Sequence, residues 1–232
     1  MFSVRFSAAL ALLLAAFGPS VTTALEPPGS APVPGSGAEF LTFGWSEDGK
    51  VAYAIVDTPP FRTGYGYTFA IVDAKTDEVL LSIYDHSDQF PGHDGLRAHV
   101  EAWMRNAAEI QAGMERYAIR AVGDTIVEPF PLQTGEDRYD VRIREWRVDP
   151  ATQPYGNGVV GYTVSFSSHR RGTKVVASRG RLWATDVKPL GFVRSPFESR
   201  VAIIVAESGN ASGGNRFTDF TITGAHLEAG FQ

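Results

Sequence analysis

The stretch "FGWSEDGKVAYAIV", Phe43 to Val56, has the pattern of two β-strands joined by a tight turn. Aromatic and β-branched residues, which favour strands, flank Asp48-Gly49, where the glycine supplies the positive φ that a tight hairpin requires. Hairpins of this kind also open the blades of β-propellers. The stretch therefore predicts a hairpin, and the rest of the chain decides whether that hairpin belongs to a propeller.

A second copy of the pattern lies near the end of the chain, in "FVRSPFESRVAIIV", Phe192 to Val205. A phenylalanine, a serine, a basic residue and a Val-Ala pair recur in the same order, with one residue inserted in the turn. Propeller blades repeat every ~40–45 residues, whereas a long helical segment separates these two copies. The spacing predicts blade-like hairpins in a fold that is not a propeller.

Between the hairpins, apolar residues take on the spacing of a helix. They recur every three or four residues from about 95 to 120 and are Leu96, Val100, Trp103, Ala107, Ile110, Met114 and Tyr117. Such a stripe predicts one long amphipathic helix. The same spacing fits a heptad, so a coiled-coil dimer is the alternative. With the surrounding strands, the prediction is an α+β fold of mostly antiparallel β-sheet, with the helix at about 95–120 packed on it.

The strand predicted at "RYDVRI", Arg138 to Ile143, alternates apolar and charged residues, as a half-buried strand does. The alternation slips at Arg144-Glu145 and resumes with Trp146 and Val148. This slip indicates a β-bulge that keeps Trp146 with the apolar residues.

The N-terminal residues have the layout of a secretory signal peptide. The apolar run "FSAALALLLAAF" is shorter than the ~20 residues that span a bilayer, and small residues follow it up to a T-x-A site at Ala24. The predicted segments are a signal peptide at 1–24, a Pro/Gly/Ser-rich linker at 25–38 and a single secreted domain at 39–232. The predicted location is periplasmic or secreted after cleavage near Ala24, with no transmembrane segment.

Charge is distributed unevenly along the chain. The formal net charge is −5, and an acidic domain offers no electrostatic attraction to nucleic acid. The segment from Arg138 to Arg181 nevertheless contains nine Lys or Arg and three Asp or Glu. A common face for these residues would bind an anionic envelope component or another envelope protein, and the alternative is an ordinary solvated strand face. The predicted binding residues are Arg142, Arg144, Arg170 and Arg171.

The densest polar cluster is "YDHSDQFPGHDG", Tyr84 to Gly95. Imidazole and carboxylate groups ligate zinc and similar metals, so the candidate metal ligands are Asp85, His86, Asp88 and His93. No H-E-x-x-H or comparable spacing supports them. The alternative is a strand-to-helix loop in which Asp94 caps the helix. The expectation is therefore no metal and no cofactor.

The sequence contains no recognised catalytic motif, since it has neither a G-x-S-x-G segment nor a cysteine. The expected function is an exported, non-catalytic binding or envelope-associated module. The alternative is a hydrolase of envelope material that uses Asp85, His86 and His93.

Several segments together resemble a bacterial family: the opening stretch, its Asp-Gly turn, "AIVDAKTDEV" and the closing "VAIIVAESGNASGGNRFTDFTITG". This family consists of uncharacterised predicted secreted proteins and is known as domain of unknown function 2259. The resemblance spans about residues 40 to 225 and implies an exported single domain without implying a reaction. The loop before the last strand departs from the family pattern, since it has the basic Arg216 but no acidic residue.

Overall fold

The computed structural model describes residues 31–32, 39–57, 65–87, 95–121, 127–148, 158–210 and 216–232. The described strands and helix are β1 Ala31–Pro32, β2 Glu39–Trp45, β3 Lys50–Asp57, β4 Tyr65–Asp73, β5 Glu78–Ser87, α1 Gly95–Arg116, β6 Leu132–Thr134, β7 Asp137–Arg147, β8 Val159–Ser168, β9 Gly172–Ala184, β10 Asp186–Arg194, β11 Arg200–Asn210 and β12 Arg216–His226. The predicted signal peptide lies outside the described residues, and so does the predicted linker apart from β1, which pairs with β2.

The strands form three antiparallel sheets, each made of strands that follow one another in the sequence. We call them the N-terminal sheet, with strand order β1-β2-β3-β4-β5, the outer sheet, β6-β7-β8-β9, and the central sheet, β10-β11-β12. Neighbouring strands pair antiparallel throughout. The predicted α+β class, mostly antiparallel sheet with one helix, is confirmed for the described part of the chain.

The central sheet lies between the other two sheets, and its middle strand is buried on both faces. Ala202 and Ile204 of β11 pack against the N-terminal sheet. Val201 and Ile203 point the other way and pack against the outer sheet. A strand that is buried on both sides reads as a continuous apolar run rather than an alternating one, which explains the segment "VAIIVA". The layers are therefore helix, N-terminal sheet, central sheet and outer sheet.

Helix α1 covers the face of the N-terminal sheet that points away from the central sheet. Trp103, Ile110 and Met114 from the apolar stripe are buried there. The ring of Trp103 stacks on that of Phe43, with 5.0 Å between the centroids. Packing of the helix on the sheet, as the stripe predicts, is confirmed.

The helix ends at Arg116, four residues earlier than predicted. Ala118 adopts a left-handed conformation with φ 53°, and the N–H of Ile119 donates to the carbonyl of Met114 at 2.8 Å. This is a Schellman-type end, which satisfies carbonyls of the last turn. The next residue, Arg120, then exchanges two backbone hydrogen bonds with Trp45 at the edge of the N-terminal sheet. Local spacing cannot show that the chain turns back to pair with this distant strand.

The two similar hairpins occupy equivalent places in adjacent sheets. The N–H of Ser46 donates to Lys50, and the N–H of Ser195 donates to Arg200, each at 2.9 Å. The two turns also meet, because a Cβ added to Gly49, whose φ is +93°, would lie 2.4 Å from a carboxylate oxygen of Glu198. The repeated pattern thus marks two turns that contact each other across neighbouring sheets.

Candidate binding face on the outer sheet

Strand β7 places a row of charged residues on the side of the outer sheet that faces solvent. Its inward side chains pack toward the central sheet and include Tyr139, Val141 and Ile143. Because side chains alternate along a strand, the intervening residues point outward and are Arg138, Asp140, Arg142, Arg144 and Trp146. Arg142 and Arg144 are both exposed. We call this outward side of β7, β8 and β9 the outer face.

The neighbouring strands contribute small side chains to the outer face. Ser165 of β8 pairs with Arg142, and Thr163 pairs with Arg144. On β9, Ser178 pairs with Thr163 and is itself exposed. These small polar residues, with the exposed Val175 that pairs with Ser165, make a low floor beside the taller arginine row. The outer face is therefore a shallow platform with hydroxyl groups in its floor and guanidinium groups along one strand.

One end of the outer face opens into a shallow cavity of about 470 Å³. The cavity is lined by Arg138, Asp140, Arg142, Ser167, Ser168 and His169. Arg138 forms an ion pair with Asp140 at 3.2 Å. This pairing leaves Arg142 as the cationic side chain that lines the cavity without an acidic partner among the described residues.

Most basic side chains of the segment already have partners within the chain. Arg147 pairs with Glu145 at 2.5 Å, Arg179 donates to a backbone carbonyl at 3.4 Å, and Lys174 donates to the carbonyl of Ala229 at 2.6 Å. Over the described ranges, the guanidinium groups of Arg142 and Arg144 take part in no ion pair or hydrogen bond. The excess positive charge seen in the sequence is therefore available to a ligand mainly at these two residues.

The four predicted binding residues divide into two structurally different pairs. Arg142 and Arg144 lie on the outer face, whereas Arg170 and Arg171 lie in the turn between β8 and β9. Arg170 pairs with Glu136, and Arg171 has a guanidinium nitrogen 3.7 Å from a carboxylate oxygen of Asp137. Ser168 fixes this turn, because its hydroxyl donates to Asp137 at 2.7 Å and accepts from the N–H of Arg171 at 2.9 Å.

Trp146 belongs to the outer face, although the sequence pattern grouped it with the apolar residues that were predicted to be buried. The pairing of β7 with β8 is regular up to Trp146 opposite Gly161, and the bulge comes one step later, before Arg147. Glu145 instead points inward, where its carboxylate accepts from the N–H of Val187 at 3.1 Å. The predicted bulge position was wrong because that inward glutamate has a partner. The unbroken alternation Arg142, Arg144, Trp146 was the signal that could have shown that the Trp146 side chain faces solvent.

The acidic and histidine cluster is only partly described, and its first member has a structural role. Asp85 accepts hydrogen bonds from Arg105 at 2.9 Å and from Asn106 at 2.7 Å, which fastens β5 to α1. Burial raises the pKa of Asp85, but these two hydrogen bonds outweigh that effect and hold the pKa below its ordinary value. His86 is the next residue along β5 and so points to the opposite face.

Asp88 and His93 lie outside the described residues, and so does the Asp94 predicted to cap the helix. In the part of the chain that the structure describes, no group of three or more His, Cys, Asp or Glu side chains could hold a metal ion. The carboxylate of Asp85 is committed to the Arg105 ion pair, which leaves it poorly placed to act as a metal ligand or as a catalytic base.

A buried polar cluster that the sequence did not reveal lies between the central and outer sheets. Glu207 is 1% exposed and accepts hydrogen bonds from the hydroxyls of Tyr162 and Thr221. Burial and the hydrogen bond to Glu207 raise the pKa of Tyr162 above its ordinary value. Both Tyr162 and Glu207 are closed off from solvent. The cluster therefore fixes the position of one sheet on the other rather than meeting a ligand.

The described residues thus contain one exposed surface where unpaired cations, hydroxyl groups and an aromatic ring share a face. No helix within the described ranges combines the length and the apolar composition that crossing a membrane requires. No family model, curated protein or solved structure matches the chain. Function therefore has to be inferred from the geometry of the outer face.

Proposed function

We propose that the protein is an exported, non-catalytic module of the periplasm or cell exterior that binds an anionic component of the cell envelope on its outer face. The observation that carries this proposal is the pair Arg142 and Arg144. They are exposed, adjacent on one face and without an acidic partner among the described residues. They occur in a chain whose formal net charge is −5.

Two unpaired guanidinium groups on one strand repel each other in the free protein. Alternate residues of an antiparallel strand are about 7 Å apart, which is within the Debye length of about 8–10 Å at moderate salt. A ligand carboxylate or phosphate beside each group offsets this repulsion and accepts two parallel hydrogen bonds from its guanidinium. The geometry therefore favours a ligand with more than one negative group.

Export is supported by the sequence rather than by the described structure. The predicted signal peptide at 1–24 and the predicted linker at 25–38 are the arrangement expected of a secreted domain. Membership of the resembling family of secreted proteins is likewise part of this proposal. A hydrolase built on Asp85, His86 and His93 is less well supported, since Asp85 is held by Arg105 and Asn106.

Cosedimentation of the purified chain with a bacterial envelope fraction tests the binding role. Binding through Arg142 and Arg144 should decrease strongly at about 1 M salt, where the Debye length is about 3 Å. It should also be lost in the double variant Arg142→Glu, Arg144→Glu. The matched control, Lys75→Glu with Arg116→Glu, makes the same change in net charge away from the outer face and should bind normally.

Treating the envelope fraction with protease before mixing separates the two predicted partner classes. Retention that survives the treatment supports an anionic envelope component. Retention that disappears with the proteins would make another envelope protein the partner. If sedimentation is insensitive to salt and to the Arg142→Glu, Arg144→Glu change, the outer face is not the binding surface.

A further inference from the structure

We infer that the anionic component is a polysaccharide carrying carboxylate groups, with a sugar ring resting against Trp146 and its carboxylates held by Arg144 and Arg142. This inference rests on the proposed function and specifies the ligand class of the same face. It starts from the contacts of Trp146, which the charge pattern alone does not explain.

Trp146 is 43% exposed, although it is among the largest apolar side chains of the protein. It lies against the backbone of the opposite strand, since a Cβ added to Gly161 would lie 3.0 Å from Cε3 and 3.4 Å from Cζ3 of the indole. Glycine at this position gives the ring room to lie against the strand. The indole is therefore supported from below by backbone, while part of its surface remains open to solvent.

In the row of paired residues that crosses β7, β8 and β9 at Trp146, the other two residues are glycines. Trp146 pairs with Gly161, and Gly161 pairs with Gly180. A Cβ added to Gly180 would approach only the carbonyl of Val160, at 3.8 Å, so space is open above it. The indole thus covers Gly161 and forms one wall of a shallow trough over Gly180. A flat, rigid ring is the kind of group that fits such a trough.

A sugar ring matches these contacts because it is apolar on its faces and polar around its edge. An aromatic side chain can pack on the apolar face of the ring. Thr163 and Ser165 lie in the adjoining rows, where their hydroxyls can exchange hydrogen bonds with those of a sugar. Arg144 and Arg142 follow Trp146 along the outer face of β7, at intervals of about 7 Å. They continue in the direction that a polymer bound at Trp146 would follow.

Carboxylates fit the arginines better than isolated neutral hydroxyls do. A guanidinium donates two parallel hydrogen bonds to one carboxylate, and each such charge-assisted bond is about twice as strong as a neutral one. A polymer of phosphate groups would satisfy the same arginines but would leave Trp146 and the glycine trough unused. The aromatic ring is therefore the feature that distinguishes an acidic polysaccharide from other polyanions.

Titration calorimetry with three defined polymers tests the inference: polygalacturonate, which is an acidic polysaccharide, polyphosphate, which has no sugar, and dextran, which has no charge. We expect polygalacturonate to bind most tightly and dextran not to bind. Trp146→Ala should weaken polygalacturonate binding about tenfold, through loss of ring packing, and leave polyphosphate binding unchanged. Trp146→Phe, which keeps an aromatic ring, should restore most of the affinity.

The remaining outcomes distinguish a failure of this inference from a failure of the proposed function. If polyphosphate binds as tightly as polygalacturonate and Trp146→Ala changes neither affinity, the ligand is not recognised as a sugar, although the arginine face still binds anions. If Arg142→Glu with Arg144→Glu has no effect on either polymer, both proposals fail. Unchanged melting temperatures for the Trp146 variants show that any loss of affinity is not a loss of folding.

Discussion

The N-terminal sheet and the outer sheet both lie against the central sheet, and each has a second face that points away from it. On the N-terminal sheet that second face is apolar, with Phe43, Phe69 and Ile71, and helix α1 covers it. On the outer sheet the second face is charged and polar, with Arg142 and Ser165, and it faces solvent. The same layer architecture therefore ends in a closed face on one side and an open face on the other.

The difference shows where this fold can hold a ligand. Along β2 and β3 the burial is nearly continuous, since both faces of the N-terminal sheet are covered. Along β7 buried and exposed residues alternate, since only one face is covered. Substitutions at the covered face should thus change stability, and substitutions at the open face should change binding.

The largest expected effect is at the covered face. Trp103→Asp should unfold the protein, because it removes the ring that stacks on Phe43 and places a carboxylate in the seam between helix and sheet. Removing a buried tryptophan alone costs about 3–5 kcal/mol of unfolding free energy. Thermal denaturation measures the effect. The matched control is Met104→Asp at the next position of the helix, which is 71% exposed and should shift stability by less than about 0.5 kcal/mol. Normal melting of the Trp103 variant would mean that the covered face is not a core.

A smaller, pH-dependent effect is expected for the ion pair at the edge of the covered face. Asp85→Asn should cost about 1 kcal/mol at neutral pH, a value kept small because the Arg105 side chain is 48% exposed. The pKa of Asp85 lies below its ordinary value of 3.8. The contribution is therefore present above that ordinary value and is lost as the pH falls through the folded-state pKa.

Urea denaturation of the Asp85→Asn variant at several pH values measures this contribution. The difference from the natural chain should close toward low pH. Asp140→Asn serves as the control, because it changes an exposed ion pair on the outer face and should have almost no effect. A loss of stability that is equally large at every pH would show that the Asp85 carboxylate charge is not the source.

The smallest expected effect on stability is at the open face. Trp146→Ala should change the unfolding free energy by no more than about 0.5 kcal/mol, because the indole lies outside the three core clusters of the described residues. The same denaturation measurement compares it directly with the change at Trp103. A loss of several kcal/mol on removing Trp146 would make its side chain a structural element and would erase the contrast between the two faces.

Features encoded by local spacing could be predicted from the sequence. The helix was visible because its apolar stripe has a helical period, and the hairpins were visible through turns such as Asp48-Gly49. The order of the layers was not visible, since it depends on which apolar faces meet across long stretches of chain. The early end of the helix, at Arg116, lets Arg120 pair with Trp45, which is a long-range contact of the same kind.

The candidate site was predictable in composition but not in detail. A local excess of basic residues drew attention to Arg142 and Arg144, and the structure places both of them exposed on one strand face. The pairing of Arg170 with Glu136 was hidden, because these residues lie in two different turns that the outer sheet brings together. Trp146 was misplaced because an apolar residue was taken to be a buried one, although the alternation of the strand placed it outside.

The position of the central sheet has a consequence for how the chain is made. This sheet consists of the last three strands, β10, β11 and β12, yet both other sheets bury an apolar face against it. Chains are synthesised from the N-terminus, so the layer in the middle of the stack is the last to appear. The first strands form contacts with partners far along the sequence, which slows folding because long loops have to close first. The core on both sides of the central sheet can therefore close only after β10, β11 and β12 have been synthesised.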